Sequence, residues 1–179
     1  WGSEGNTLAA VWTRERSTGD TAPDYISVYY LYDTYRSGGS QVYGGWLMAP
    51  YNSGTDPLTY DCFSPAVAYD PVADAYVVVF NHTEGTGTFS PTTIHGQRVR
   101  SQYSSSTFRY DSGYAFGIER STAWNGHYYP DITYSGVGNE MQVVYMSWYA
   151  PDEQYWYVYD RTLHGTDVDG RLLVRYSGD

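Results

Sequence analysis

Short runs rich in Val, Ile, Tyr and Thr recur along the chain, each bounded by Gly, Pro, Asn, Asp or Ser. The pattern predicts β-strands at 26–32, 65–69, 76–80, 93–99, 130–134, 141–148, 155–159 and 171–176, with a further apolar strand over Leu8–Trp12, and it predicts no helix. Val77-Val78-Val79-Phe80 is apolar at every position, as expected of a strand covered on both faces. Val28–Tyr32 and Tyr155–Tyr159 are similar, but their tyrosine hydroxyls tolerate water. Asp70-Pro71 and Ser135-Gly136 interrupt the pattern between neighbouring strands and predict two hairpins.

The strands repeat as sets. Pro65-Ala66-Val67-Ala68-Tyr69 precedes Tyr76–Phe80, and Pro130-Asp131-Ile132-Thr133-Tyr134 precedes Met141–Tyr145. Leu8–Trp12 supplies the second member of such a pair without its proline-led first strand. Val11, Val79 and Val144 are then equivalent, 68 and 65 residues apart. Thr93-Ile94-His95-Gly96 and Thr162-Leu163-His164-Gly165 also match, and tyrosine turns at 51–54, 110–113 and 176–179 close each stretch. The expectation is one all-β repeat domain over 1–179, with approximate repeats 1–54, 55–113 and 114–179.

A unit of about four strands recurring every 60 residues or so describes a propeller blade, which buries its faces only against neighbouring blades. The order Pro-x-Val-x-Tyr, Val-Val-aromatic, Ile-x-Gly-x-Arg-Val, carried by Pro65–Tyr69, Val77–Phe80 and Ile94–Val99, resembles the blade repeats of large secreted bacterial β-propeller proteins. The resemblance implies a propeller-like fold of about three blade-like units. The alternative is a β-sandwich with long loops. Three blades do not close a ring, so the expectation includes a fragment of a longer propeller, two chains supplying six blades, or stacking through unpaired edge strands.

Composition narrows the function. The chain has 22 Tyr and 6 Trp, residues with an apolar body and a polar tip suited to half-exposed sheets. It has no lysine, which excludes Schiff-base and phosphate-loop lysine chemistry. A formal charge of −10 argues against nucleic acid and against anionic membranes, and no apolar run is long enough for a spanning helix. Cys62, the single cysteine, is expected to be a buried apolar thiol. The start at Trp1 without methionine is expected of a chain that has lost a secretion signal or of a fragment of a longer one, and with the sequon Asn81-His82-Thr83, the absence of lysine and the Tyr, Ser, Thr and Gly bias the expectation is an extracellular setting.

Candidate chemistry is sparse. His95 and His164 are expected at equivalent places, as ligand contacts beside Gln97 and Arg98 or as residues closing a strand against a glycine turn. Asp167-Val168-Asp169-Gly170 opens like a calcium loop, although a plain hairpin turn explains it as well because no later acidic ligand follows. Glu119, Glu140, Asp131 and Asp160 are the carboxylates available for glycoside hydrolysis, yet their spacing selects no pair. Gly-x-Ser-x-Gly and His-Glu-x-x-His are absent. Trp12, Trp46, Trp124, Trp148 and Trp156 can stack on sugar rings, with Asn125, Gln97 and Arg98 as polar contacts and Trp124-Asn125 at a loop tip.

The resulting expectation is a secreted, non-enzymatic protein without cofactor that binds glycans or a surface partner through aromatic loops. A self-assembling subunit of an extracellular filament or coat is the alternative, and a glycoside-active propeller the weakest one.

Overall fold

A computed structural model describes residues 7–14, 25–32, 41–47, 61–83, 92–99, 116–119, 125–138, 140–149, 155–166 and 172–176. Eleven strands fill these segments, and among the described residues there is no helix. They are β1 (Thr7–Arg14), β2 (Tyr25–Tyr32), β3 (Gln41–Leu47), β4 (Cys62–Asp70), β5 (Ala75–Thr83), β6 (Thr92–Val99), β7 (Phe116–Glu119), β8 (Asn125–Ser135), β9 (Glu140–Tyr149), β10 (Tyr155–Thr166) and β11 (Leu172–Tyr176). All pairings are antiparallel between successive strands, giving three sheets ordered β1-β2-β3, β4-β5-β6-β7 and β8-β9-β10-β11. The all-β, propeller-like expectation therefore holds.

Both expected hairpins form where the sequence breaks. Asp70 closes the first by accepting hydrogen bonds from the backbone N–H groups of Val72 (2.9 Å) and Ala73 (3.1 Å), with Asp74 at φ +48°. Gly138 supplies the positive φ of the second, at +76°. Strand β3 contains Gly44-Gly45, and β7, although Phe116-Gly117-Ile118-Glu119 alternates, is only four residues long, so both give a weak strand signal. The second sheet continues to Glu119 in β7, beyond the repeat boundary expected at 113. The tyrosine turns lie outside the described residues, apart from Tyr176 at the end of β11.

The middle sheet is covered on both sides, as the Val77–Phe80 run requires. Tyr76, Val78, Phe80, Val99 and Cys62 pack with Ala9 and Ile26 of the first sheet. Val77, Val79, Ile94, Phe116 and Ile118 pack with Ile132, Met141, Val143, Tyr145 and Leu163 of the third. Each fully buried aliphatic side chain contributes about 1.5–3 kcal/mol. Gly96 allows the Phe116 ring to lie across β6, because a Cβ there would sit 2.7 Å from that ring. Burial and the neighbouring Asp61 push the Cys62 thiol up to about 12, so it remains an inert packing group.

The two proline-led strands are tied to their neighbours in the same way. Pro65 and Pro130 sit in β-bulges of the edge strands β4 and β8, where a missing N–H breaks no ladder. The residue before each proline has positive φ, Ser64 at +50° and Tyr129 at +53°. That conformation costs of order 1–3 kcal/mol in a non-glycine residue. A side chain from the preceding sheet offsets the cost: Thr13 Oγ1 accepts from Ser64 N–H at 3.1 Å, and Asn81 Oδ1 from Tyr129 N–H at 3.1 Å. Asn81 also donates to the His127 carbonyl at 2.6 Å. Thr13 and Asn81 each lie two residues past the equivalent valines Val11 and Val79, and each stands opposite an isoleucine, Ile26 or Ile94. Strands β1 and β2 thus take the places of β5 and β6, and among the described residues the first sheet lacks a counterpart to β4 and β8.

This bond corrects the glycosylation expectation. Asn81 is fully buried and its amide is committed to β8, which leaves no access for a glycan. Asn81→Ala is expected to destabilise the protein by about 2–3 kcal/mol, since it orphans a buried carbonyl and a strained N–H together. Urea denaturation monitored by tryptophan fluorescence checks the value.

Candidate functional site

The sheet register decides which candidate residues meet. Phe80 and His95 are cross-strand partners with stacked rings 6.3 Å apart, and Tyr145 and Tyr159 are the corresponding stacked pair of the third sheet at 6.0 Å. Tyr159 therefore occupies the place of His95. His164 lies five residues further along β10, beside Leu173 of β11. The expected equivalence of the two histidines is thus corrected. The Thr-Ile-His-Gly and Thr-Leu-His-Gly segments sit in different registers, His95 opposite Phe80 and His164 just past Leu163, the last β10 residue paired with β9.

Gln97 and Arg98 are buried on β6, which withdraws them from a surface ligand. His95 is half-buried and packs on the buried His82, ring centroids 4.9 Å apart. Trp124, Asp167 and Asp169 lie outside the described residues, as do the side chains of Trp46, on β3 opposite Ser27, and Asn125, at the start of β8. Among the described residues no group of three or more His, Cys, Asp or Glu is placed to hold a metal.

The second and third sheets together assemble an aromatic and charged cluster instead. Tyr145 is buried on β9, and its hydroxyl donates to Glu119 Oε2 at 2.8 Å. The same oxygen accepts from Arg161 Nη2 in an ion pair that is largely shielded from water. The Arg161 guanidinium lies 5.7 Å from the centroid of the Tyr145 ring, and Arg161 Nη1 donates to the Asp160 carbonyl at 2.8 Å. Burial, followed by the hydrogen bond to Glu119, pushes the Tyr145 phenol well above its usual range, so it serves as a fixed proton donor. The His127 ring meets Tyr145 edge-on at 5.4 Å.

Beyond this buried cluster, β10 emerges into solvent. Tyr157 and Tyr159 share the face of Tyr145 and Arg161, are 49% and 43% exposed, and have ring centroids 6.3 Å apart. The opposite face of the strand carries Trp156, whose ring meets Tyr128 edge-on at 5.5 Å, with Tyr129 exposed beside it. The aromatic surface among the described residues rests on strands, and the loop expected to carry Trp124 lies outside them. Of the nominated carboxylates, Glu119 is paired, Glu140 is half-buried, and Asp131 and Asp160 are exposed in one cross-strand row on either side of Val144. The Glu119–Arg161–Tyr145 contact joins residues 26 and 42 positions apart, so no sequence motif announces it.

No protein-family model matches the chain, and no curated protein matches it in sequence. Among solved structures it is similar to an α-L-arabinanase of Cellvibrio cellulosa complexed with arabinohexaose, at TM-score 0.48 and 14% identity, covering 86% of this chain and 52% of that one. It is also similar to the glycoside hydrolase family 43 YxiA protein of Bacillus licheniformis, at TM-score 0.41 and 12% identity, covering 97% of this chain and 45% of that one. The chain spans about half the length of these structures. Against the expectation of a non-enzymatic protein, both of these structures are enzymes by name.

The buried His82 yields a pH test. Desolvation lowers its pKa from 6.5 to about 4, so protons bind the unfolded chain more readily than the folded one. Its stabilising effect is complete above pH 6.5 and is lost as pH falls towards 4, up to about 3 kcal/mol in all. Urea midpoints measured across this window are expected to fall less steeply with acid in His82→Gln than in the parent chain.

Proposed function

We propose that the chain binds neutral glycans along the exposed side of β10, with the rings of Tyr157 and Tyr159 under successive sugar faces and Arg161 and Glu119 beside them for sugar hydroxyls. The observation that carries this reading is the pair of half-exposed tyrosine rings, 6.3 Å apart on one strand face, running into the Arg161–Glu119 pair. The absence of lysine and the net charge of −10 favour an uncharged ligand over a phosphorylated one. An extracellular setting belongs to the same proposal and is supported by the Tyr, Ser, Thr and Gly bias.

The test is a calorimetric titration with a panel of neutral oligosaccharides, arabinohexaose among them, and the same incubations assayed for new reducing ends. Saturable binding is expected, weakened about tenfold or more, or about 1.4 kcal/mol, in Tyr157→Ala and in Tyr159→Ala. Val137→Ser, in the exposed hairpin far along the sheet, is expected to bind like the parent. New reducing ends would add cleavage to binding. No saturation by any member of the panel, or equal affinity in the tyrosine variants, would overturn the reading.

A further inference from the structure

Neighbouring tyrosine rings among the described residues come in pairs, and all but one of these pairs include a ring held in place. Tyr76 is buried beside Tyr69, whose hydroxyl donates to Asp74. Tyr145 is buried beside Tyr159, with its hydroxyl on Glu119. Tyr128, beside Tyr129, is half-buried and lies across Gly126, where a Cβ would sit 2.5 Å from its ring. Tyr157 and Tyr159 are different. Both reach solvent, 49% and 43% exposed, and their rings stand on one strand face with centroids 6.3 Å apart and planes tilted by 53°.

We infer that Tyr157 and Tyr159 are a covalent modification site, joined as an intrachain dityrosine by a peroxidase acting with hydrogen peroxide. Each hydroxyl gives up one electron and one proton to the oxidant, and the peroxide is reduced to two molecules of water. The two phenoxyl radicals join through the ring carbon beside each hydroxyl, and the hydrogen on each of those carbons moves to the adjacent oxygen, which restores both rings. Proximity drives the step, because two rings carried on one strand meet far more often than rings on separate chains. Exposed side chains turn between rotamers within nanoseconds, so rotation about χ1 and χ2 closes the remaining gap. The joined rings are twisted about their linking bond, and the two planes are already tilted. Tyr145 does not compete, because its ring is buried and its hydroxyl is held by Glu119. Cys62, the one cysteine of the sequence, is a buried thiol, so no exposed thiolate intercepts the radicals. The link closes a ring through Val158 and stiffens the outer part of β10. The inference does not rest on glycan binding, since phenylalanine at either position keeps a stacking face and loses the phenol.

The test is to treat the dilute folded chain with a haem peroxidase and hydrogen peroxide, and to follow dityrosine fluorescence, denaturing electrophoresis and fragment mass spectra. The parent is expected to gain dityrosine fluorescence at single-chain mass and to lose the mass of two hydrogen atoms. Its spectra are expected to lack fragments that split the chain between Tyr157 and Tyr159. Tyr157→Phe and Tyr159→Phe are each expected to lower the intrachain yield about tenfold, whereas Tyr129→Phe is expected to match the parent. Circular dichroism confirms that each variant is folded, and the parent's own fragment spectrum locates the link if one is not. No dityrosine in the oxidised parent, a link mapped to another tyrosine pair, covalent dimers as the main product, or an undiminished yield in either folded phenylalanine variant at 157 or 159 would overturn the inference.

Discussion

The arrangement depends on a hydrogen bond between sheets at the residue before a proline. Each proline-led edge strand bulges at its proline, and there Ser64 and Tyr129 take positive φ. An exposed bulge of this kind would be strained and poorly positioned. A polar side chain from the preceding sheet removes both difficulties, because it satisfies the bulged N–H and fixes where the next sheet begins. Once β8 is placed by Asn81, the apolar faces of β5, β6 and β9 meet in register and bury their apolar side chains against one another.

The candidate site follows from that placement. Docking the second sheet on the third brings Glu119, at the end of β7, to Arg161 and to the buried hydroxyl of Tyr145. The pair secures the inner part of β10, while the outer part carries Tyr157 and Tyr159 into solvent on one face and Val158 on the other. One strand therefore presents two surfaces of different chemistry, aromatic and polar on the side of the proposed glycan, aliphatic at Val158 on the other.

Much of the fold was legible because its signals are local. The all-apolar Val77–Phe80 run marks a sheet covered on both faces, the Asp70-Pro71 and Ser135-Gly136 breaks mark hairpins, and the spacing of Val11, Val79 and Val144 gives the order of equivalent strands. The site was far less legible. The His95 and His164 match reads as an equivalence until strand register shows Tyr159 in the place of His95. Asn81 reads as a glycan acceptor because a sequon carries no information about burial, and Asn81 is a buried tie. Glu119, Arg161 and Tyr145 come from three strands and meet only through packing between sheets.

Amide hydrogen exchange at Ser64 and Tyr129 tests most directly whether these bonds hold the sheets together. Both N–H groups lie in edge strands, where a bulged amide without an inter-sheet acceptor exchanges quickly. The account predicts slow exchange at both in the parent chain, and in Thr13→Val a loss of protection at Ser64 with Tyr129 still protected. Rapid exchange at both positions in an otherwise protected parent protein would contradict it.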